Sequence, residues 1–177
     1  MFWVIENIMK KIKAFFKNQY VKSVIKSALV IILIASILLN IFTYIFSIVR
    51  HYGSSMQPAL SDNQYLLIYK TADVDNGDVI AFYYNNKVLV RRVAATAGEQ
   101  VYIDIFGNVS INGTELDEPY VSNKTLGQSD VEFPYTVPAN SVFVLGDNRE
   151  TSMDSRLEKI GAVSEDRIIG KVILPNV

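Results

Sequence analysis

Gly53-Ser54-Ser55-Met56-Gln57-Pro58-Ala59-Leu60 divides this chain into two parts of different character. Before it lies a long apolar run, and after it come short alternating segments separated by turn residues. Within the stretch, Ser55 precedes a methionine placed to sit in lipid, and Pro58 stiffens the backbone that follows. A serine in this setting can be a nucleophile if another part of the chain supplies a base. It can equally be a turn or a helix cap, and spacing alone does not separate the two.

On the N-terminal side, residues 27–49 contain no charged side chain and are rich in Ile, Leu, Val and Phe. About 20 such residues cross a bilayer as a helix. A cleaved leader would have a shorter apolar core ending at a small-residue site, whereas this run ends in Ser47-Ile48-Val49-Arg50-His51. The expected element is an uncleaved signal anchor over residues 24–50. Residues 1–23 before it place Lys10, Lys11, Lys13, Lys17 and Lys22 among Ile5, Ile8, Ile12 and Phe15 at helical spacing. That pattern suits a helix lying in the membrane interface, with Trp3 and Phe2 as anchors, or alternatively a disordered basic tail. Residues 1–26 carry a charge balance of +5 and the remainder −6. A basic flank before an apolar run places the N-terminus in the cytoplasm and residues 51–177 outside, and it indicates membrane lipid, not nucleic acid, as the partner.

On the C-terminal side the period falls to two. Strands are expected at Tyr65–Lys70 and Asp78–Tyr84 with Asn76-Gly77 between them. Asn85-Asn86 then leads into Lys87–Thr96 as a hairpin. Val101–Ile105, Val109–Ile111, Ser141–Leu145 and Ile168–Leu174 follow, while Glu115–Thr136 is polar and rich in turn residues. Many short strands without long amphipathic helices indicate a mostly β domain, closed or partly barrel-like. Cysteine is absent, which removes disulfides and thiol chemistry. With a single histidine as well, a metal site is not expected, and no cofactor motif is present.

Chemistry concentrates in a second tract, Gly146-Asp147-Asn148-Arg149 followed by Ser152-Met153-Asp154-Ser155-Arg156, directly behind the apolar segment Val142-Phe143-Val144-Leu145. Acids and arginines at that density behind a buried strand suggest an internal ion-pair network, with a solvated surface turn as the alternative.

Taken in order from about Lys22 to Pro175, these blocks resemble the bacterial type I signal peptidases. The carriers are Gly-x-Ser-Met-x-Pro after an anchor, Arg91-Arg92-Val93 before Gly98-Glu99, and the Gly146–Arg156 tract. The resemblance implies a β catalytic core with a small inserted β subdomain, here residues 98–139. It implies Ser55 as the nucleophile that cleaves signal peptides from secreted preproteins after small residues, through an acyl-enzyme. Met56 and Pro58 would belong to the loop facing substrate and membrane. Ser152 and Asp154 would order the second catalytic group, with Arg156 pairing Asp154 and with Asp147 and Arg149 as structural partners.

One position departs from the family. Where its members carry a lysine base, this chain has Arg91. A buried lysine can be neutral when needed, whereas a guanidinium holds its proton. Arg91 could instead lock the site by an ion pair with Asp154. Two other residues are candidate bases: Lys87, on the same strand face but about 13 Å away, and His51, close to Ser55 in sequence. The resulting expectation is a membrane-anchored endopeptidase of signal-peptidase type. The alternative is a catalytically defective relative that binds secreted substrates and assists assembly of a surface structure such as a pilus.

Overall fold

The structure, a computed structural model, describes residues 2–70 and 73–175, without the side chains of Phe2, Ile12, Lys13, Ala14, Phe16 and Lys17. What was expected of those side chains therefore lies outside the described residues. The chain divides into two compact units, Met1–Tyr44 and Ile45–Val177.

The first unit is helical. Helix α1 spans Phe2–Lys17 and α2 spans Gln19–Ile45. Asn18 separates them: its amide donates to the Phe15 carbonyl at 3.2 Å, and its side-chain oxygen accepts from the Tyr20 amide at 3.0 Å. A short polar side chain is well suited to this cap, since it satisfies an amide that the new helix leaves free. On α1, Val4, Ile5, Ile8, Met9 and Phe15 are exposed on one side, and Glu6 and Lys10 form an ion pair one turn apart on the other. With 27 residues and an 18-residue window of mean hydropathy 2.6, α2 is long and apolar enough to cross a membrane.

The helix does not run to Arg50 as the unbroken apolar run suggests. Phe46–Arg50 forms strand β1, paired residue for residue with β2 (Tyr65–Tyr69), from Phe46 opposite Tyr69 to Arg50 opposite Tyr65. Aromatic and β-branched residues favour a pleated pair once a partner strand is available, and the Phe46 and Tyr69 rings meet at a tilt with centroids 5.6 Å apart. Hydrophobicity alone does not mark that change of period.

The second unit is mostly β. Beyond β2 come β3 (Val79–Tyr84), β4 (Lys87–Ala95), β5 (Gln100–Ile103), β6 (Val109–Ile111), β7 (Thr114–Glu115), β8 (Tyr135–Thr136), β9 (Ser141–Leu145), β10 (Val163–Ser164) and β11 (Ile168–Leu174). A large antiparallel sheet has the order β1-β2-β11-β3-β4-β9-β10, and a small one the order β7-β6-β5-β8. β2 and β3 follow one another in sequence but are not neighbours, because β11 inserts between them. The β3–β4 hairpin turns at Asn85-Asn86, with Asn85 at φ 49°, a conformation that asparagine tolerates. All strands of the small sheet fall within residues 98–139.

Alternation decides the core. On β3, Val79 and Ala81 pack with Leu66, Ile68, Val90 and Met56, whereas Ile80 and Phe82 pack on the other face with Val93, Val142 and Val144. Burial on both faces explains why β3 reads as a continuous apolar run. Phe143, Leu145 and Ala95 form a third cluster with Val101, Ile103 and Val109 of the small sheet. Met56 is fully buried in the first cluster, so the expectation that it faces lipid is corrected: it anchors the serine loop to the core. Pro58 is exposed.

Candidate active site

Side-chain alternation along β4 sends its two adjacent arginines to different partners. Arg92 makes a bidentate pair with Asp147, Nε to Oδ1 at 2.9 Å and Nη2 to Oδ2 at 2.7 Å, and lies 4.1 Å from the Tyr120 ring centroid. Arg91 turns to Ser55: its Nη1 donates to Oγ at 2.8 Å and to the Val90 carbonyl, and its Nε donates to the Met153 carbonyl at 2.9 Å. Ser55, Arg91 and Arg92 are all buried.

The tract after β9 supplies the scaffold. Asp154 is fully buried and pairs with Arg156 through both oxygens, at 2.8 and 2.9 Å, while its Oδ2 also accepts the Gly146 amide. Arg149 pairs with Glu118, also buried. These three ion pairs realise the internal network that the residue pattern suggested. The expected pair between Arg91 and Asp154 is absent among the described residues, because both oxygens of Asp154 are committed to Arg156.

Gly146 sets how closely the two loops approach. A Cβ there would lie 2.1 Å from Ser152 Oγ and 2.6 Å from the Ser55 carbonyl oxygen. That carbonyl accepts the Asn148 amide at 3.0 Å, which ties the serine loop to the tract. Ser152 Oγ is buried and has no hydrogen-bond partner. His51 Nε2 is in the same condition.

Electrostatics fix the protonation states. Burial lowers the Arg91 guanidinium to about 10, opposed chiefly by the negative charge of Asp154. It therefore stays protonated at pH 7, where removing its proton would cost about 4 kcal/mol. Burial, and after it the positive charge of Arg91, lowers His51 below its ordinary value and keeps the imidazole neutral. Ser55 thus faces a cation that donates to its oxygen, and this contact does not accept the serine proton.

Ser55 and Arg91 line a cavity of about 660 Å³ with Tyr84, Lys87, Leu89 and Met153. A second cavity, about 750 Å³, is lined by Ile48, Val49 and Arg50 of β1 and again by Lys87 and Leu89. Both flanking strands have a free edge here. Among the described residues β1 pairs only with β2, and the Lys87–Arg91 part of β4 pairs only with β3, since β9 takes up Arg92 to Ala95.

Ser55, Arg91, Ser152, Asp154 and Arg156 therefore gather around one centre, while Asp147 and Arg149 brace it through partners on other elements. Sequence reading missed Glu118 and Tyr120, which lie in a polar, turn-rich segment. The only hint was that Arg149 needed an acid. It also gave no role to Gly146 beyond its place in the tract.

Ser55, a buried serine, lines a cavity beside strand β4 in a mostly β domain. The chain belongs to the family described as signal peptidase, peptidase S26, which residues 21–177 match. It is 35% identical over 140 residues to signal peptidase IB of Staphylococcus aureus, covering 68% of this chain and 72% of that protein. It is also 35% identical over 156 residues to signal peptidase I T of Bacillus subtilis, covering 81% of this chain and 79% of that one. Among solved structures it is similar to a signal peptidase I from Enterococcus faecalis, with TM-score 0.48, 29% identity, and coverage of 56% of this chain and 97% of the other.

Proposed function

We propose that the chain is a membrane-anchored serine endopeptidase that removes signal peptides from secreted preproteins, with Arg91 holding its rate low at neutral pH. The observation that carries this reading is Ser55 Oγ, set in a groove whose two strand edges are free to pair with an extended peptide. The junction of signal peptide and mature protein would lie between β1 and β4, its carbonyl against Ser55. Attack forms the Oγ–carbon bond and breaks the peptide C–N bond. The mature protein leaves with its new amino terminus, and water then releases the acyl group. The serine proton must pass to a base, and Arg91 offers one only in its rare neutral form. The Val90 and Met153 carbonyls hold this group in place, and backbone amides beside Ser55 stabilise the oxyanion. Helix α2 crosses the membrane with α1 on the cytoplasmic surface. Cysteines introduced singly at Asn7 and Ser129 test this, and only the second should label from outside intact cells.

Purified full chain in detergent should cut a secreted preprotein slowly, and Ser55→Ala should abolish the cut. The donation from Arg91 to Ser55 favours a second reading, a relative that binds secreted segments without cleaving them and assists assembly of a surface structure such as a pilus. Binding without any cleavage at pH 7 or pH 9 would select that reading. Loss of the cellular function in a folded Ser55→Ala chain would refute it.

A further inference from the structure

Every charged side chain lining the two cavities is a cation: Arg50, Lys87 and Arg91. No aspartate or glutamate lines either one, although residues 27–177 carry a net charge of −6. Among the described residues none of the three forms a salt bridge with a carboxylate, although the buried Asp154 acts on Arg91 at longer range. Arg91 bonds only to neutral oxygens. Arg50 is held by the Asn63 carbonyl at 3.2 Å and by the faces of Tyr52 and Tyr65, 5.4 and 5.3 Å from their centroids. In an acidic domain, three unpaired cations around one groove create a local field that attracts a negative group.

From this we infer that the groove selects an extended peptide bearing an acidic side chain, and that Lys87 is the residue that reads it. The inference rests on the peptide-binding reading above. Lys87 is exposed, lines both cavities and lies four residues from Arg91 on the same face of β4, about 13 Å along an extended strand. A peptide lying alongside β4 has the same rise per residue. Its acidic side chain therefore sits about four residues from the one whose carbonyl meets Ser55. Apolar Leu89, between the two cations, accommodates the uncharged residues of the intervening segment. Selectivity of this kind is electrostatic and weakens with salt.

The test uses the full chain in neutral detergent and a fluorescent nonapeptide of small, uncharged residues in which one aspartate is moved along the sequence. An asparagine at each same position is the control. At low salt, aspartate at one or two neighbouring positions should bind about fivefold more tightly than asparagine, the upper range for an exposed pair. Lys87→Glu should reverse that preference, Lys87→Ala should remove it, and 0.5 M salt should flatten it. Equal binding of both peptides at every position overturns the inference and leaves the peptide groove standing. A preference that survives Lys87→Glu overturns it too. No binding of either peptide removes both readings. Displacement of the bound acidic peptide by phosphatidylglycerol at a lower concentration than by unlabelled acidic peptide would show that the cations serve lipid headgroups and would equally overturn it.

Discussion

Replacing Arg91 by lysine should convert a slow site into a fast one. The guanidinium, lowered by burial to about 10, leaves roughly one neutral molecule in a thousand at pH 7. Lysine begins about two units below arginine, and the same burial acts on it in the same direction. The neutral fraction at pH 7 should therefore rise about a hundredfold, and kcat/KM with it if proton removal from Ser55 limits the rate. The geometry favours the exchange. Nη1 is already 2.8 Å from Ser55 Oγ, and the orphaned Ser152 Oγ is a buried hydrogen-bond partner for a new ammonium. The assay is cleavage of a purified preprotein by detergent-solubilised wild type, Arg91→Lys and the double variant Arg91→Lys/Ser55→Ala. A gain well below tenfold in a folded Arg91→Lys chain would refute the idea that a retained proton on Arg91 limits the reaction. Activity persisting in the double variant would refute Ser55 as the nucleophile.

Three further substitutions test the scaffold. Gly146→Ala places a Cβ 2.1 Å from Ser152 Oγ and 2.6 Å from the Ser55 carbonyl. It should cost about 1–3 kcal/mol in stability and disproportionately more in cleavage, so unchanged kinetics would contradict the loop contact. Glu118→Ala leaves Arg149 buried without its partner and should lower stability to denaturant by about 3–5 kcal/mol, whereas a loss below about 1 kcal/mol would mean the pair is not buried as described. Burial lowers the proton affinity of His51 in the folded state, so the unfolded chain binds more protons there. The stability this confers is present above about pH 6.5, the unfolded value, and is lost as pH falls through the lower folded value. Melting temperature should thus drop on going from pH 7.5 to pH 5, and His51→Leu should flatten that slope. An equally steep slope in the variant would contradict a buried neutral His51.

Much of this fold was readable from sequence where period and turn chemistry agree. Val109–Ile111, Ser141–Leu145 and Ile168–Leu174 alternate between faces or run apolar between clear turns, and they appear as strands at those bounds. Phe46–Arg50 was not readable, because an apolar residue in a lipid-spanning helix and one in a sheet strand look alike until the pairing partner is known. The two-residue strands β7, β8 and β10 lie below the length at which a pattern can show. At the site, the Gly146–Arg156 tract announced a charged network, but not which acid meets which arginine. Asp147 takes Arg92, a strand away, and Glu118 takes Arg149 from a segment that looks solvated. Such pairings are set by tertiary contact and have no signature in local spacing. Met56 misled for a related reason, since a methionine beside an anchor suits lipid and core equally well.

The most direct test of a proton-retaining cation at Ser55 is the pH dependence of preprotein cleavage by the wild-type chain between pH 7 and pH 9.5. Because Arg91 titrates near 10, log kcat/KM should climb with a slope of about one throughout and vanish with Ser55→Ala. A plateau reached by pH 8 would mean that another residue takes the serine proton, and would contradict the role given to Arg91.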